Sequence, residues 1–258
     1  MRIAFVLVYV FCLANFYRMY WNTRTDIAPL VRDLRATTLV LQSFNDSRAC
    51  ASLCAAVHGR TGTVVVVEYG SAMHPCADAV YHLTNVGRDY RAFLWYVVQF
   101  YGVLSGTYVF ASANLGKHRR AERIARLLNE DPTTLEFSCT GSKVDFGLPR
   151  IMTVAENERH DSNFTILHYK TAQGNADLAP ATPRPLGRWI AAHVDADTRT
   201  WRASTACGQG VFRTSARLLR KHPKEYYENL LRQLEVDNAP ESVHYAERAT
   251  ASIFGDGA

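Results

Sequence analysis

The stretch TVVVVEY, residues 63 to 69, decides the fold class of this chain. Its apolar run is almost unbroken, and Gly62 and Gly70 bound it at its two ends. A strand with one wet face alternates apolar and polar residues, whereas a continuous apolar run is typical of a strand covered on both faces in a parallel sheet. The sequence therefore predicts a buried strand here, within a sheet that has helices on both sides.

Strands and helices alternate around this run. β-branched or apolar stretches predict further strands at 37–43, 79–83 and 106–111. Capping residues and helical spacing predict three helices: from Asp46 or Ser47 to Gly59, from about Tyr90 to Gly102, and over 117–129. This alternation predicts an α/β fold with a doubly wound, mainly parallel sheet.

The rest of the chain is less regular and then helical. We expect residues 131–205 to wrap around the sheet, with a strand at 164–169 and a short helix at 185–194. Three C-terminal helices are predicted: one capped by Thr214 or Ser215, one with Pro223 in its first turn, and one from Pro240 to Gly255. We therefore assign residues 37–258 to a single domain.

Composition argues against several classes of protein. The chain has 258 residues, of which 48% are hydrophobic and 21% charged. These values are those of an ordinary globular protein, so neither a disordered chain nor a polytopic membrane protein is indicated. The formal charge of +5 is dispersed along the chain, so we expect no nucleic-acid partner.

The N-terminal segment is predicted to direct the chain into the secretory route. Residues 3–17 are uncharged, so residues 1–21 form either an uncleaved signal-anchor or a cleaved signal peptide, followed by a stem at 22–36. The expected location is the ER or Golgi membrane, as a single-pass type II protein, or secretion if the segment is cleaved. Sequons for N-glycosylation begin at Asn45 and Asn163, as in a lumenal glycoprotein.

Cysteine spacing indicates core packing and disulfides. Cys50 and Cys54 share a helical face with apolar residues, which favours a role as small core side chains. Cys76, Cys139 and Cys207 are available for disulfides, in a connectivity that the sequence leaves open. No C-x-x-C pair occurs, which disfavours a zinc ribbon or a redox site.

The first candidate site follows strand 79–83. In an open α/β sheet, ligands bind at the carboxyl ends of the strands. Gly87 permits a tight turn beside Asn85, Arg88 can hold a phosphate, and Asp89 stands where a helix begins. The alternative is an ordinary turn with Asp89 as helix cap.

The second candidate site follows strand 106–111. Lys117, His118, Arg119 and Arg120 cluster at a predicted helix start, where backbone N–H groups also attract anions. Positive charge there opposes the helix dipole, which indicates an anionic partner. A solvated basic turn is the alternative.

The third candidate is the last helix. Glu247 shares its face with Val243, Thr250 and Phe254, so this carboxylate should point inward and could serve as a general base. A structural ion pair is the alternative. His244, one turn earlier, is expected to be a packing or surface residue.

Two other chemistries find little support. Asp195-Ala196-Asp197 matches a metal-binding D-x-D, but it follows a helix rather than a strand, so we assign no metal ligand. A serine hydrolase is not supported either, because no G-x-S-x-G occurs.

Three segments resemble blocks of an uncharacterised, glycosyltransferase-like family: YHLTNVGRDYRAFLWYVVQFY (81–101), GQGVFRTSARLLRKHPKEYY (208–227) and YAERATASIFG (245–255). A similar N-x-G-R-D turn occurs in rhamnan-type polysaccharide glycosyltransferases, which have a GT-A fold. The chain departs from the family at Asp89, where Glu is usual, and after Arg248, where Ala249-Thr250 replaces an aromatic residue.

The resemblance implies a nucleotide-sugar-dependent transferase with a GT-A-like fold. It places Asn85, Gly87, Arg88 and Asp89 in a donor-side turn, His118 after the fourth strand, and Glu247 with Arg248 as a closing pair.

The expected reaction transfers the sugar of a nucleotide sugar to a glycan or glycoprotein acceptor and releases the nucleoside diphosphate. Glu247 or Asp89 would deprotonate the acceptor hydroxyl, while Arg88, Lys117 and Arg119 hold the diphosphate without a metal. The alternative is a non-catalytic lumenal domain that binds carbohydrate or a protein partner. A hydrolase would need a second inward carboxylate.

Overall fold

The computed structural model describes residues 37–58, 62–115, 120–130, 136–139, 163–171, 174–194, 207 and 210–255. Several positions singled out above lie outside these ranges: the segments 1–21 and 22–36, Lys117, His118, Arg119, Asp195 and Asp197. Among the described residues, no helix has the length and apolar character needed to cross a bilayer.

The described ranges contain eight strands: β1 (Thr37–Ser43), β2 (Thr63–Glu68), β3 (Ala79–His82), β4 (Thr107–Ser112), β5 (Ser138–Cys139), β6 (His168–Thr171), β7 (Gly174–Asp177) and β8 (Phe212–Ser215). Six of them form one sheet in the order β3-β2-β1-β4-β8-β5, while β6 and β7 pair separately. The first four strands confirm the predicted ones to within a residue or two.

The sheet is mixed. Strands β1 to β4 pair in parallel with one another, as predicted, but β8 runs antiparallel to both β4 and β5. The prediction missed β8 because its four residues run directly into the helix that Ser215 caps. The predicted strand at 164–169 is also wrong in position, since the strand begins at His168 and lies outside the main sheet.

Eight α-helices occur in the described ranges: α1 (Ser47–His58), α2 (Arg88–Phe100), α3 (Arg120–Asn129), α4 (Leu186–His193), α5 (Ala216–Leu219), α6 (Lys224–Leu234), α7 (Glu241–Arg248) and α8 (Thr250–Phe254). The C-terminal portion is helical, as expected. The predicted final helix is two helices, because the helical conformation is interrupted at Ala249, which ends α7 and precedes α8.

Both faces of the sheet are covered. Alternate residues of β2 pack on opposite sides, with Val65 and Val67 in one buried cluster and Val64 and Val66 in the other. Helices α2, α4, α6, α7 and α8 cover the first face, and α1 and α3 cover the second. This two-sided burial is why residues 63–69 carry no polar alternation.

One disulfide links Cys139 at the end of β5 to Cys207, which precedes β8. Cys50 and Cys54 are buried thiols on α1, which confirms their predicted role in the core. Cys76 is a partly exposed free thiol. The disulfide therefore fixes the approach to the antiparallel half of the sheet.

Candidate functional site

A cavity of about 560 Å³ opens at the carboxyl ends of the parallel strands. Residues after β1, β2, β3 and β4 all contribute to its walls, and helix α7 closes it. This is the edge at which the sequence predicted a ligand site, since parallel strands deliver their carboxyl ends to one side of a sheet.

Four of the predicted site residues meet in this cavity: Asn85, Arg88, Asp89 and Glu247. They come from two segments about 160 positions apart, which the fold brings together by packing α7 against α2. Gly87 lies in the turn that positions three of them. The cavity therefore joins the first and third candidate sites, and Arg120 of the second candidate site also lines it.

The turn before α2 has an unusual backbone. Gly87 and Arg88 both lie in the left-handed region, with φ of 66° and 51°. Glycine adopts this conformation freely, but an arginine there is strained. Gly87, not Asp89, is the N-cap, so Asp89 lies in the first helical turn. The predicted helix-cap alternative for Asp89 is therefore wrong.

Neighbouring side chains fix this turn. Tyr69 Oη donates to the carbonyl of Arg88 at 2.9 Å, which fixes the strained residue. Arg91 Nη1 donates to the Thr84 carbonyl at 2.9 Å, while Arg91 Nε donates to Glu235 Oε1 at 3.0 Å. The turn is thereby held between β2 and the end of α6.

Arg120 brings the start of α3 to the cavity. Its Nη1 donates to the Asn114 carbonyl at 3.3 Å, and its Nη2 lies 4.0 Å from Asp89 Oδ2. Arg120 is 9% exposed, and its Nε has no hydrogen-bond partner. A buried guanidinium with an unused donor is ready to bind an anionic ligand.

Arg88 lies in the field of two carboxylates. Burial lowers the pKa of Arg88, and the charges of Asp89 and Glu247 counteract this. Arginine remains protonated under all ordinary conditions. The cavity therefore has interleaved charges of both signs rather than a basic end and an acidic end.

A hydrogen-bond chain anchors the backbone of Glu247. Thr250 Oγ1 donates to the Glu247 carbonyl at 2.7 Å. Because that hydroxyl has only one hydrogen, it accepts from the buried Tyr90 hydroxyl, which is its other close neighbour. The break between α7 and α8 is thus fastened to α2, beside the cavity.

His244 lines the cavity one turn before Glu247. Burial, followed by the charges of Arg88 and Arg248, lowers the pKa of His244 to about 4. Its Nδ1 lies 3.9 Å from Glu247 Oε2. At neutral pH this imidazole is uncharged, and it offers a polar contact rather than a positive charge. The sequence predicted a packing or surface residue here, and the fold places His244 at the cavity wall.

Arg248 does not line the cavity. Its guanidinium lies 3.8 Å from the centre of the Phe164 ring, and Nη1 donates to the His244 carbonyl at 2.8 Å. The resemblance had paired Arg248 with Glu247 at the site. The fold places Arg248 behind the wall, where it supports α7.

His118, Lys117 and Arg119 belong to residues that the structure does not describe.

A buried cluster that the sequence analysis did not identify supports the loops after β1 and β2. Glu68 accepts from the backbone N–H of Asn45 at 2.9 Å and from His74 Nε2 at 2.7 Å. Both side chains of the Glu68–His74 pair are fully buried. The polar residue inside the apolar run TVVVVEY was the available signal. This pair fixes the loop that brings Phe44 and Asp46 to the cavity.

Other cavity residues were also missed: Gln42, Ser112 and Asn114 at the carboxyl ends of β1 and β4. Each follows apolar strand residues, so polarity at a predicted strand end could have identified them.

The described residues contain no group of three or more side chains suited to a metal ion.

The fold and the cavity define an α/β protein with a cavity at the carboxyl edge of a mainly parallel, mixed sheet. No protein family matches the chain, and no curated protein or solved structure is significantly similar to it.

Proposed function

We propose that this protein is a nucleotide-sugar-dependent glycosyltransferase with a GT-A-like fold. One observation carries the proposal: Arg88, Arg120 and Glu247 meet in one cavity at the carboxyl edge of the parallel strands. Two cations suit a diphosphate, and a carboxylate in the same cavity suits the acceptor hydroxyl that must lose a proton.

The backbone at Arg88 supports a binding role. A non-glycine residue at φ 51° carries strain that the surrounding contacts must offset, and such strain is concentrated at functional sites. Here the strain places Arg88 at the cavity wall. The N-terminus of α2, a helix of 13 residues, adds a favourable field for phosphate.

The proposed chemistry uses one base and two cations. Glu247 accepts the proton of the acceptor hydroxyl as its oxygen bonds to the anomeric carbon of the donor. The bond from that carbon to the diphosphate breaks, and Arg88 and Arg120 stabilise the departing negative charge. The products are the extended glycan or glycoprotein and the nucleoside diphosphate.

A hydrolase would use the same cavity differently. Asp89 supplies the second carboxylate that the sequence did not place, but a hydrolase needs one protonated carboxyl group. Arg120 lies 4.0 Å from Asp89, and Arg88 lines the same cavity. Two cations suit a diphosphate leaving group, which the substrate of a glycosidase does not have, so they favour transfer over hydrolysis.

The proposed setting is the lumen of the secretory route, in the ER or Golgi, with residues 1–21 as membrane anchor or signal peptide. The Cys139–Cys207 disulfide supports an oxidising compartment. This would place the cavity where nucleotide sugars and glycoprotein acceptors occur together.

Calorimetry tests the proposal. The full-length chain in mild detergent is titrated with nucleoside diphosphates and their sugars, with and without Mn²⁺. Arg88→Ala and Arg120→Ala should each weaken binding about tenfold or more, since each removes a charged contact. Arg126→Ala is the matched control, because it removes the same charge from α3 away from the cavity.

A sugar-transfer assay distinguishes a transferase from a non-catalytic binding domain. Glu247→Gln should retain nucleotide-sugar binding and lose sugar transfer. Failure of every nucleotide and nucleotide sugar to bind would exclude the transferase. Binding of free glycans in that case would favour a non-catalytic carbohydrate-binding domain.

A further inference from the structure

Asp89 stands among the cations that the proposed donor needs. Its Oδ2 lies 4.0 Å from Arg120 Nη2, and its charge acts on the neighbouring Arg88. Gly210 lies beside it, since a Cβ on Gly210 would be 3.6 Å from the same oxygen. The partly buried carboxylate therefore lies among groups that suit an anion.

The position occupied by Asp89 is electrostatically favourable for phosphate. It lies in the first turn of α2, where the helix dipole attracts negative charge. Arg120, nine-tenths buried with an unpartnered Nε, lines the same cavity. A phosphate group entering the cavity would meet the same cation and the same helix end as Asp89.

The free protein needs a counter-ion at this place. Leaving Arg120 buried without an opposite charge would be costly, because desolvation of a cation is offset only by a partner. Asp89 supplies that charge when the cavity holds no ligand. A diphosphate would supply it more strongly, with higher charge and more acceptor oxygens.

We infer that Asp89 is an internal competitor of the substrate: its carboxylate holds the anion position in the free protein and yields it to the donor phosphate. This inference rests on the proposed function and narrows it. Glu247 is then the base, and Asp89 sets how tightly the diphosphate is held and how readily it leaves.

A mutation in a binding site usually weakens ligand binding, whereas this inference predicts that one strengthens it. Asp89→Asn removes the competing charge with little change in shape, so nucleoside diphosphates should bind on the order of tenfold more tightly. Asp177→Asn is the matched control, because it removes the same charge from an exposed residue that does not line the cavity. Nucleoside diphosphate binding should then change less than about twofold.

Pyrophosphate separates this inference from the proposed function. Tighter binding of pyrophosphate to Asp89→Asn, with no binding of nucleoside diphosphates to either protein, would support the competitor role and exclude the transferase. Equal or weaker binding of both probes to Asp89→Asn would overturn the inference. If thermal melting shows that Asp89→Asn is unfolded, Asp89→Ser is titrated under the same criteria.

Discussion

Gly87 lies so close to the end of helix α6 that a Cβ added to it would be 2.5 Å from the carbonyl oxygen of Leu234. Gly87 N also donates to the Asp237 carbonyl at 3.0 Å. The turn that carries Arg88 and Asp89 therefore rests directly on backbone, with no side chain between. The position of this part of the cavity wall therefore depends on the contact between Gly87 and the end of α6.

Gly87→Ala should destabilise the fold and weaken ligand binding together. A Cβ in the left-handed region costs about 1–2 kcal/mol, and the approach to Leu234 adds to it, so we expect a loss of about 2–4 kcal/mol. Urea denaturation measures the change. Gly102→Ala is the control, because its Cβ would meet no atom within 4 Å, and it should change stability by less than about 1 kcal/mol.

Tyr90→Phe should loosen Glu247 without removing any group from it. The substitution deletes the donor to Thr250 Oγ1, which in turn holds the Glu247 carbonyl. We expect about 1 kcal/mol less stability and a lower kcat for sugar transfer, with KM for the donor less affected. Tyr81→Phe is the control, since the Tyr81 ring packs against Trp95 and Phe100 away from the cavity. Equal effects of the two substitutions would argue against the hydrogen-bond chain.

The sequence predicted the parallel half of the fold well because its signals are local. An apolar run such as 63–69 and the cap at Asp46 each reflect burial or hydrogen bonding within a few residues. Strand β8 gave no such signal, since it is short and its pairing with β4 joins segments about a hundred residues apart.

The candidate site was predicted in parts but not as a whole. The turn at Asn85 and the inward face of Glu247 were readable from spacing, but their meeting in one cavity depends on tertiary packing. The same limit explains Arg248: helical spacing places it beside Glu247, and only the stacking on Phe164 shows that it faces away from the cavity.

Removal of the disulfide should lower stability substantially. The Cys139–Cys207 bond spans 68 residues, and by chain entropy a loop of this length contributes about 4 kcal/mol. We expect the Cys139→Ser/Cys207→Ser double variant to unfold at clearly lower temperature, whereas Cys76→Ser, at a free thiol, should change little. Peptide mapping without reductant checks the pairing itself, and a different pairing would refute the assignment.

His244 should make stability fall as the solution is acidified. Burial, Arg88 and Arg248 lower its pKa from 6.5 to about 4, so the unfolded chain binds a proton there at a higher pH than the folded chain does. The contribution of His244 is complete above about pH 6.5 and is lost progressively down to about pH 4, by about 3 kcal/mol in all.

Urea denaturation between pH 4.5 and 7.5 measures this effect by comparing the wild type with His244→Gln, which cannot take up a proton. The difference between the two proteins should be constant at neutral pH and should shift against the wild type on acidification. Because every other titrating group is shared, that shift isolates His244. Parallel stability curves would mean that the imidazole is not held uncharged between the two arginines.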